Sequence, residues 1–431
     1  MDPASHTHCL LLLDLPPNAL AGIDLLSFTT TPRFKGVKNL PPGLHFAFAA
    51  TDTSLSLRHG AWFYVSPGAG PPQVFVKKWS PQTENLVAET QHAELLTWRA
   101  NLGAVWKNGL TPYRQTVHAA DTAEDDHFVE SSDWTRLTSH ISQSLLTRIC
   151  GLNPDHWALT SASSAAQDLD NIPGLEASDN LLHPEKELRF FPVDLKQTWR
   201  PGATGRERTE AAQDRSWALG DLLEKHAISK HAPSCDLEIL GELQFCFLMV
   251  LTLNNNSCLE QWKRLLRLLL TCRSAVKDRF HLFLELLKTL RLQLSHCADM
   301  EAAIFDLNDQ GGGFLGPLLR KFRKGLDEFD GKRKADMVDE FDELQDFLQK
   351  EFGWQVDDSY VKRGMLDLED GERVEMDMNG ADEDDECGDF APTIVELTPA
   401  QLETLNCGDA QGRLEDESEE EADLDDMDTR Y

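Results

Sequence analysis

The sequence lacks the closely spaced cysteine pairs that zinc sites and redox motifs use. Its nine cysteines are scattered from Cys9 to Cys407, and their number is odd. A secreted disulfide framework would need paired cysteines in an oxidising compartment. We therefore expect reduced thiols, several of which lie on apolar helix faces and behave there as small hydrophobic side chains.

Long apolar runs are also missing. No stretch reaches the roughly 18 consecutive apolar residues of a membrane-spanning helix. The first residues include Asp2 and no basic segment, and the apolar run Cys9 to Leu13 is shorter than the core of a secretory signal. These absences predict a soluble intracellular protein with no membrane partner.

Motifs that carry catalysis are absent as well. No serine lies in a GxSxG turn, and Gly68 to Pro72 lacks the Lys-Ser/Thr pair of a phosphate-binding loop. His6, His8 and Cys9 have zinc-ligand chemistry, but no second ligand pair follows at zinc spacing. We expect no enzyme, no metal and no cofactor. An enzyme with an unrecognised site stays open as a distant alternative.

Positive charge is scarce: the sequence has 41 Lys and Arg but 73 Asp and Glu, which gives a net charge of −32. Most of the net negative charge lies between Gly364 and Tyr431, a segment with 25 acidic residues and three arginines. Such a segment repels the phosphates of nucleic acid and favours basic protein surfaces, including surfaces that bind RNA. We expect no direct binding of nucleic acid.

Residues 1–160 have the pattern of a mostly β domain. Short runs of aliphatic and aromatic residues are bounded by Pro and Gly, which is typical of an antiparallel sandwich or barrel. The predicted strands are Leu10–Leu15, Leu44–Ala49, Ala61–Ser66 and Val74–Trp79. Two helices are predicted in addition, at Leu86–Leu102 and Trp134–Ile149.

Residues 161–186 are small and polar, which predicts a linker or a long surface loop. Residues 187–355 then predict a helical domain around a hairpin from Gly241 to Arg273, whose first helix is apolar on nearly every face. Ser257 and Glu260 have the spacing of a capping box at the start of its second helix. Further predictions are a strand at Glu187–Val193 and helices at Thr209–His226, Val276–Leu294, Ala298–Leu307 and Lys334–Phe352.

Residues 356–431 predict an acidic tail, in which Gly371–Asp389 and Glu415–Asp428 are too poor in apolar residues to fold. One island of strand-forming residues interrupts the tail: Thr393, Ile394, Val395, Glu396 and Leu397. A lone strand has unpaired backbone groups that the sheet edge of a partner can satisfy. The residues leave two interpretations open, a strand that binds a partner or a strand that folds back on the protein's own β domain.

Three blocks of sequence, taken together, resemble one protein family. The first block is GIDLLSFTTTPRFKGVKNLPPGLHF at Gly22–Phe46, the second is GELQFCFLMVL with CLEQWKRLLRLL at Gly241–Leu251 and Cys258–Leu269, and the third is APTIVEL at Ala391–Leu397. Their order and separations resemble the Aar-two family of U5 snRNP assembly factors. The resemblance implies an α+β multidomain fold with an N-terminal β-sandwich-like domain, a C-terminal all-α domain similar to VHS domains, and a tail strand.

The resemblance also implies a function. Members of this family bind the large U5 spliceosomal scaffold protein, of the Prp-eight type, at its RNase H-like and Jab/MPN-like domains. They escort the U5 pre-snRNP, and keep the U5 RNA helicase and RNA away until nuclear exchange, so we expect a cytoplasmic and nuclear protein. On this resemblance Thr393 to Leu397 are the partner-binding residues. A general acidic chaperone of histones or ribosomal proteins is the alternative.

Overall fold

The chain divides into two compact units, Met1–Asp358 and Ser359–Tyr431. The structure is a computed structural model that describes residues 7–52, 56–68, 70–113, 132–151, 157–165, 168, 187–229, 234–297, 312–328, 333–354, 363–367 and 373–377. Strands dominate the first part of these residues and helices the later part. The predicted α+β class is therefore confirmed, whereas the predicted domain boundaries stay a prediction.

Two five-stranded sheets occupy the N-terminal part. The first sheet has the order β8-β7-β1-β4-β9, and the second sheet has the order β10-β6-β5-β2-β3. The strands are β1 Cys9–Leu13, β2 Leu20–Ile23, β3 Leu26–Thr29, β4 Gly36–Lys38, β5 Gly43–Ala50, β6 His59–Val65, β7 Val74–Ser80, β8 Asn85–Ala88, β9 Leu110–Pro112 and β10 Ala158–Thr160. The four strands predicted in this region are confirmed within two residues at each end.

The second sheet is a middle layer, because both of its faces are buried. On β5, Phe46 and Phe48 belong to the core shared with the helices, whereas Ala47 and Ala49 face the core between the two sheets. Successive side chains of a strand point to opposite faces. This explains why β5 has almost no polar residue and reads as a continuous apolar run.

The first sheet is likewise covered on both sides. Its outer face packs under helix α1 (His92–Trp106), where Leu11 and Val76 share a core with Trp98 and Trp106. Strand β1 runs parallel to β7 and antiparallel to β4, so it is a central strand. All five of its residues are buried, as its apolar sequence requires.

The helical part forms around one buried helix, α6. This helix, Ser234–Leu253, is enclosed along nearly its whole length. It pairs with α7 as the predicted core hairpin. The other helices are α2 Asp133–Leu137, α3 Gln143–Cys150, α4 Gly205–Gln213, α5 Ser216–His226, α7 Asn256–Leu269, α8 Ala275–Asp278, α9 Phe280–Ser295, α10 Gly312–Glu328 and α11 Lys334–Phe352. Among the described residues, no helix is long and apolar enough to cross a membrane.

Two predicted helices of the N-terminal part are wrong in extent. Residues Asn85–Ala88 form β8 at the edge of the first sheet, and the helix begins only at His92. The segment Trp134–Ile149 is two helices with a turn between them. The turn is stabilised from α6, because the side chain of Gln244 accepts a hydrogen bond from His140 N at 2.9 Å and donates one to Arg136 O at 3.1 Å.

Two predictions for the helical part are also wrong. The capping residue of α7 is Asn255, whose side chain accepts from Cys258 N at 2.8 Å, since the hydroxyl of Ser257 is engaged with Asp168. The segment Glu187–Val193 forms no strand beyond a single bridge to Ser164. Its backbone is paired instead with side chains of the helical part, as described below.

Two of the remaining predicted helices are each interrupted by a break. Thr209–His226 splits into α4 and α5 at Asp214, whose carboxylate accepts from Ser216 N at 3.1 Å and Arg273 N at 2.9 Å. Val276–Leu294 splits into α8 and α9 at Arg279, where φ is −121°. Lys334–Phe352 is confirmed at both ends, and Ala298–Leu307 lies outside the described residues.

The second unit contains a two-stranded antiparallel hairpin, β11 (Arg363–Asp367) and β12 (Arg373–Asp377). Its second strand falls in Gly371–Asp389, so the prediction that this segment is unfolded was wrong for those residues. Apolar and charged residues alternate along RVEMD, and a period of two residues is typical of a strand. The acidic composition of the surrounding sequence makes this short pattern easy to miss.

Candidate functional site

The predicted partner-binding residues Thr393, Ile394, Val395, Glu396 and Leu397 lie outside the described residues. The first and second blocks that carry the family resemblance are described. Their geometry shows what these motifs do in the protein.

In the first block, Asp24 organises a buried polar cluster at the turn between β2 and β3. One carboxylate oxygen accepts from Phe46 N at 2.8 Å, and the other accepts from His45 Nδ1 at 2.8 Å and from the hydroxyl of Tyr113. Asp24 has a positive φ of 56°, which an Asp tolerates better than most residues. The cluster joins the β2–β3 turn to β5 and to the segment after β9.

Both ring nitrogens of His45 face acceptors in this cluster. Its Nε2 lies 2.9 Å from the carbonyl oxygen of Pro41, which can only accept a hydrogen bond, while its Nδ1 faces a carboxylate. Burial lowers the pKa of His45, but the charge and hydrogen bond of Asp24 and the Pro41 carbonyl outweigh burial and raise the pKa above its ordinary value. The protonated form of His45 is thus paired and hydrogen-bonded, as a buried charge requires.

Other residues of the first block allow close approach of the chain to itself. A side chain at Gly22 would overlap the ring of Phe48, and one at Gly36, where φ is +146°, would overlap the backbone of Leu10. Lys38 Nζ donates to Trp106 O at 2.7 Å. The first block therefore builds the β sandwich rather than a surface.

In the second block, Glu242 is a carboxylate with no solvent exposure, on a helix that is mostly apolar. It accepts from Arg148 Nη2 at 2.7 Å, from Phe191 N at 3.0 Å and from Gln261 Nε2 at 2.9 Å. Burial raises the pKa of Glu242 more strongly than Arg148 and the hydrogen bonds lower it. Glu242 thereby holds α3, α7 and the segment around Phe191 against α6.

Arg148 extends this cluster to a second carboxylate one turn away on α6. Its Nε donates to Glu238 Oε1 at 3.1 Å, its Nη1 donates to Arg189 O at 3.1 Å, and its guanidinium lies 4.2 Å from the centre of the Phe191 ring. Residues four apart on a helix share a face, so Glu238 and Glu242 reach the same partner. We call Arg148, Glu238, Glu242, Gln261 and Phe191 the α6 polar cluster.

Gly241 of the second block marks a close approach of α6 to its neighbours, because a side chain there would overlap the carbonyl oxygen of His140. Trp262 of α7 is also internal, and its indole donates to Gln293 Oε1 at 3.0 Å. Both halves of the second block thus specify packing inside the molecule.

The polar cluster of the β sandwich is closed to solvent. The side chains of His45 and Asp24 are 2% and 3% exposed, so no substrate reaches them. Burial raises the pKa of Cys9 to about 12, which is the reverse of an activated thiol. His8 Nδ1 accepts from Gln73 N at 3.1 Å, and within the part of the chain that the structure describes no group of three or more His, Cys, Asp or Glu could hold a metal ion.

One concave surface in the described helical part surrounds a half-buried residue, Trp217 of α5. Three adjoining depressions of about 420, 300 and 140 Å³ all have Trp217 in their walls. The first also contains Asp221 and Glu224, and the second contains Trp199. We call this region the Trp217 surface; sequence reasoning missed it, although a tryptophan on a short, partly polar helix was a usable signal.

The described residues thus define a class of protein: a β sandwich that shares an apolar core with a helical part, with a buried polar cluster in each. Its matched motifs build the fold. The chain belongs to the AAR2, or Aar-two, family. The family model for the AAR2 N-terminal domain matches residues 6–151, and that for the AAR2 C-terminal repeat region matches residues 190–357.

Curated relatives agree with the family models. The chain is 28% identical to the human protein named Protein AAR2 homolog over 305 residues, which covers 66% of this chain and 74% of the relative. It is 28% identical to the mouse protein of that name over 374 residues, covering 80% and 88% respectively. Identity to the Caenorhabditis elegans protein is 22% over 306 residues, with 67% and 78% covered.

Proposed function

We propose that this protein is a non-catalytic assembly factor in U5 snRNP biogenesis and pre-mRNA splicing. The observation that carries the proposal is that both halves of the chain match one family, and that the first two matched blocks form the two buried clusters of a single compact unit. The proposed partner is the large U5 scaffold protein of the Prp-eight type, in its RNase H-like and Jab/MPN-like domains.

Binding acts by competition in this proposal. A protein that covers the helicase-binding and RNA-binding surfaces of the scaffold keeps the U5 helicase and RNA away until it is released. Acidic residues outnumber basic ones by 32 in this chain, and an RNA-binding partner surface is basic. Opposite charges of this kind accelerate association and make it sensitive to salt.

The tail strand Thr393 to Leu397 supplies the second contact in this proposal. About four or five ladder hydrogen bonds at roughly 0.5–1.5 kcal/mol each give modest affinity. Covalent attachment to the folded unit raises the effective concentration of the strand to roughly millimolar where the geometry permits both contacts. The folded unit and the strand together would then bind more tightly than either does alone.

The protein is not an enzyme in this proposal, and it acts in the cytoplasm and the nucleus without direct contact to nucleic acid or membrane. A non-catalytic role is supported by the observation that the matched motifs build the fold. Asp24, His45 and Glu242 are acid–base groups of these motifs, and each is buried and bound to protein partners.

The experiment that tests the proposal is a titration of the full chain against the recombinant RNase H-like plus Jab/MPN-like fragment of its own scaffold protein. We expect tight binding that weakens as salt is raised, and that weakens again when residues 390–431 are removed. A matched truncation of residues 415–431 alone removes acidic residues and leaves the strand. Absence of binding by the full chain would refute the assignment of partner.

The acidic segment favours one second candidate, a general chaperone of histones or ribosomal proteins. Under this alternative the charge itself is the active element, so removal of Glu415 to Tyr431 abolishes binding to histones. Under the assembly-factor proposal the same truncation leaves binding to the scaffold fragment nearly unchanged. Measuring both interactions with both chains separates the two functions.

A further inference from the structure

Strand β3 (Leu26–Thr29) is one edge of the second sheet, and among the described strands only β2 pairs with it. The pairing continues to Thr30, whose N donates to Ala19 O at 2.8 Å. Opposed residues of an antiparallel ladder alternate between hydrogen-bonded and non-hydrogen-bonded pairs. The backbone N–H and C=O groups of Ser27 and Thr29 therefore point away from β2, toward the outer side of the strand.

The side chains of β3 differ between its two faces. Leu26 and Phe28 are half-buried, whereas Ser27 and Thr29 are exposed. Phe28 contacts Phe34 with 5.0 Å between ring centres, and Phe34 packs against the core between the two sheets. The apolar face of β3 thus continues that core to the edge of the sheet, where the ring of Phe28 keeps partial contact with solvent.

The other edges of the two five-stranded sheets each have a feature that opposes further pairing. Strand β8 lies between Glu84 and Glu89, β9 contains Pro112, and β10 has three residues. Charges, proline and short length are the usual protection of a sheet edge. By contrast, residues 25–31 contain no charged side chain and no proline, so β3 has neither the charge nor the proline that protects β8 and β9.

We propose that the outer side of β3 binds an extended, uncharged segment of a partner protein, which adds to the second sheet as a sixth strand. Ser27 and Thr29 each present one N–H and one C=O at the two-residue spacing of a strand, and an extended backbone matches both. A β-branched residue of the partner opposite Phe28 covers the exposed part of its ring. Both faces of the second sheet are buried, so its edge is the place where it can take up another strand.

The charge of the chain decides between two kinds of occupant. An uncharged edge can also pair with the same edge of a second copy. A net charge of −32 on each copy opposes that association, whereas it does not oppose a neutral or basic partner. The partner that adds a strand is therefore a different protein.

This inference goes beyond the proposed assembly function and does not rest on it. The partner is defined by its chemistry, an extended segment with β-branched residues, and the test contains no spliceosomal component. Failure of the test would leave the binding of the scaffold fragment untouched, and the reverse also holds.

The test is NMR of the full chain labelled with ¹⁵N and ²H, in which the backbone amides report both binding and hydrogen exchange. In the free chain, the amides of Ser27 and Thr29 should exchange quickly and those of Phe28 and Thr30 slowly, because only the latter two face β2. The probe is the neutral peptide acetyl-Gln-Thr-Val-Thr-Val-Thr-Gln-amide. The matched probe carries N-methyl groups on its central threonine and on the valine that follows, which removes a ladder donor in either register.

We expect the first peptide to shift the amide signals of Ser27 and Thr29 in a saturable manner and to slow their exchange. Loss of one hydrogen bond should weaken the N-methylated peptide about three- to tenfold. Thr29→Pro should weaken the unmodified peptide at least as much, and it spares the β2 ladder because the N–H that it removes points outward. The matched control Thr29→Ala keeps that N–H and should leave the affinity within about twofold.

Three outcomes would overturn the proposal. One is slow exchange of the Ser27 and Thr29 amides in the free, dilute chain, because the edge would then be paired within the molecule. Another is protection of these amides that grows with the concentration of the chain alone, which would identify a second copy as the occupant. The third is equal affinity of the two peptides for the wild type, because the ladder donors would then have no part in binding.

Discussion

His45 Nδ1 lies 2.8 Å from Asp24 Oδ2, and this contact is buried inside the β sandwich. The other ring nitrogen of His45 faces the Pro41 carbonyl, so the protonated imidazole donates from both nitrogens. The pair couples the stability of the N-terminal half to pH in a range where few other side chains titrate.

We predict that this pair stabilises the protein at lower pH. The pKa of His45 is raised in the folded state, so the folded chain holds its proton more tightly than the unfolded chain does. Its contribution is therefore complete below the ordinary histidine pKa of about 6.5 and is lost as pH rises through the raised value. Urea denaturation midpoints measured across this range should fall with pH more steeply than those of His45→Gln.

Comparing the pH dependence of the wild type with that of His45→Gln separates the contribution of His45 from that of the other histidines. His140 titrates in the opposite sense, since burial lowers its pKa against the smaller effect of Glu285, but it is common to both chains. Identical pH profiles for the wild type and His45→Gln would show that His45 is neutral in the folded protein.

A second prediction concerns two helical glycines, one in a tightly packed site and one beside open space. Gly241→Ala should destabilise the protein by about 1–3 kcal/mol, because the added methyl group would overlap the His140 carbonyl and force α6 away from the turn before α3. Gly220→Ala in α5 meets nothing within 4 Å and should stabilise by roughly 0.5–1 kcal/mol. Thermal unfolding of the two variants should therefore shift in opposite directions, and shifts of the same sign would contradict this packing.

The α6 polar cluster gives a third prediction. Arg148→Met leaves Glu238 and Glu242 without their cation in a site where these side chains are 7% and 0% exposed, and should cost about 3–5 kcal/mol. Adding Glu242→Gln should recover part of the loss, because it removes a buried charge that is no longer compensated. Denaturant unfolding of the single and double variants measures this coupling.

The control for the cluster is Arg206→Met. Arg206 forms an ion pair with Glu210 on the surface of α4, where its side chain is 81% exposed. Loss of such a pair should change the unfolding free energy by less than about 1 kcal/mol. If Arg148→Met were equally mild, the cluster would not hold α3 to α6.

The fourth prediction tests the tail strand. Val395→Pro removes a backbone donor and fixes φ, so it should weaken binding of the RNase H-like plus Jab/MPN-like scaffold fragment severalfold or more. The same substitution at Asn379, in the acidic spacer, should have little effect on the dissociation constant. Equal affinities of the wild type and Val395→Pro would mean that the strand does not add to a sheet of the partner.

Local patterns in the sequence predicted the strands β1, β5, β6 and β7, and the α6–α7 hairpin, because their apolar residues follow each other at strand or helix spacing. The positions where helices are interrupted were predicted poorly, because they are stabilised by residues far away in the sequence. Gln244 holds the turn at His140, and Asp214 binds Arg273 N, which is 59 residues away. Ser257 has the sequence of a cap but is taken by Asp168, 89 residues earlier.

The polar clusters could be anticipated only in part. Two carboxylates four residues apart in an apolar helix, Glu238 and Glu242, imply a buried cation nearby. Nothing local identifies Arg148 as that cation, because it lies about 90 residues away in a short helix. The Trp217 surface depends similarly on how α5 packs, so its depressions could not be derived from spacing alone.

The middle position of the second sheet has a consequence for synthesis of the chain. Its outward side chains Phe46, Phe48 and Trp62 are covered by helices, and Trp62 stacks on Phe245 with 6.0 Å between ring centres. Chains grow from the N-terminus at about 5–20 residues per second. A nascent chain that has completed its β strands therefore exposes an aromatic surface on the ribosome until residues near 250 emerge, and ribosome pausing in that interval would favour aggregation or capture by a chaperone.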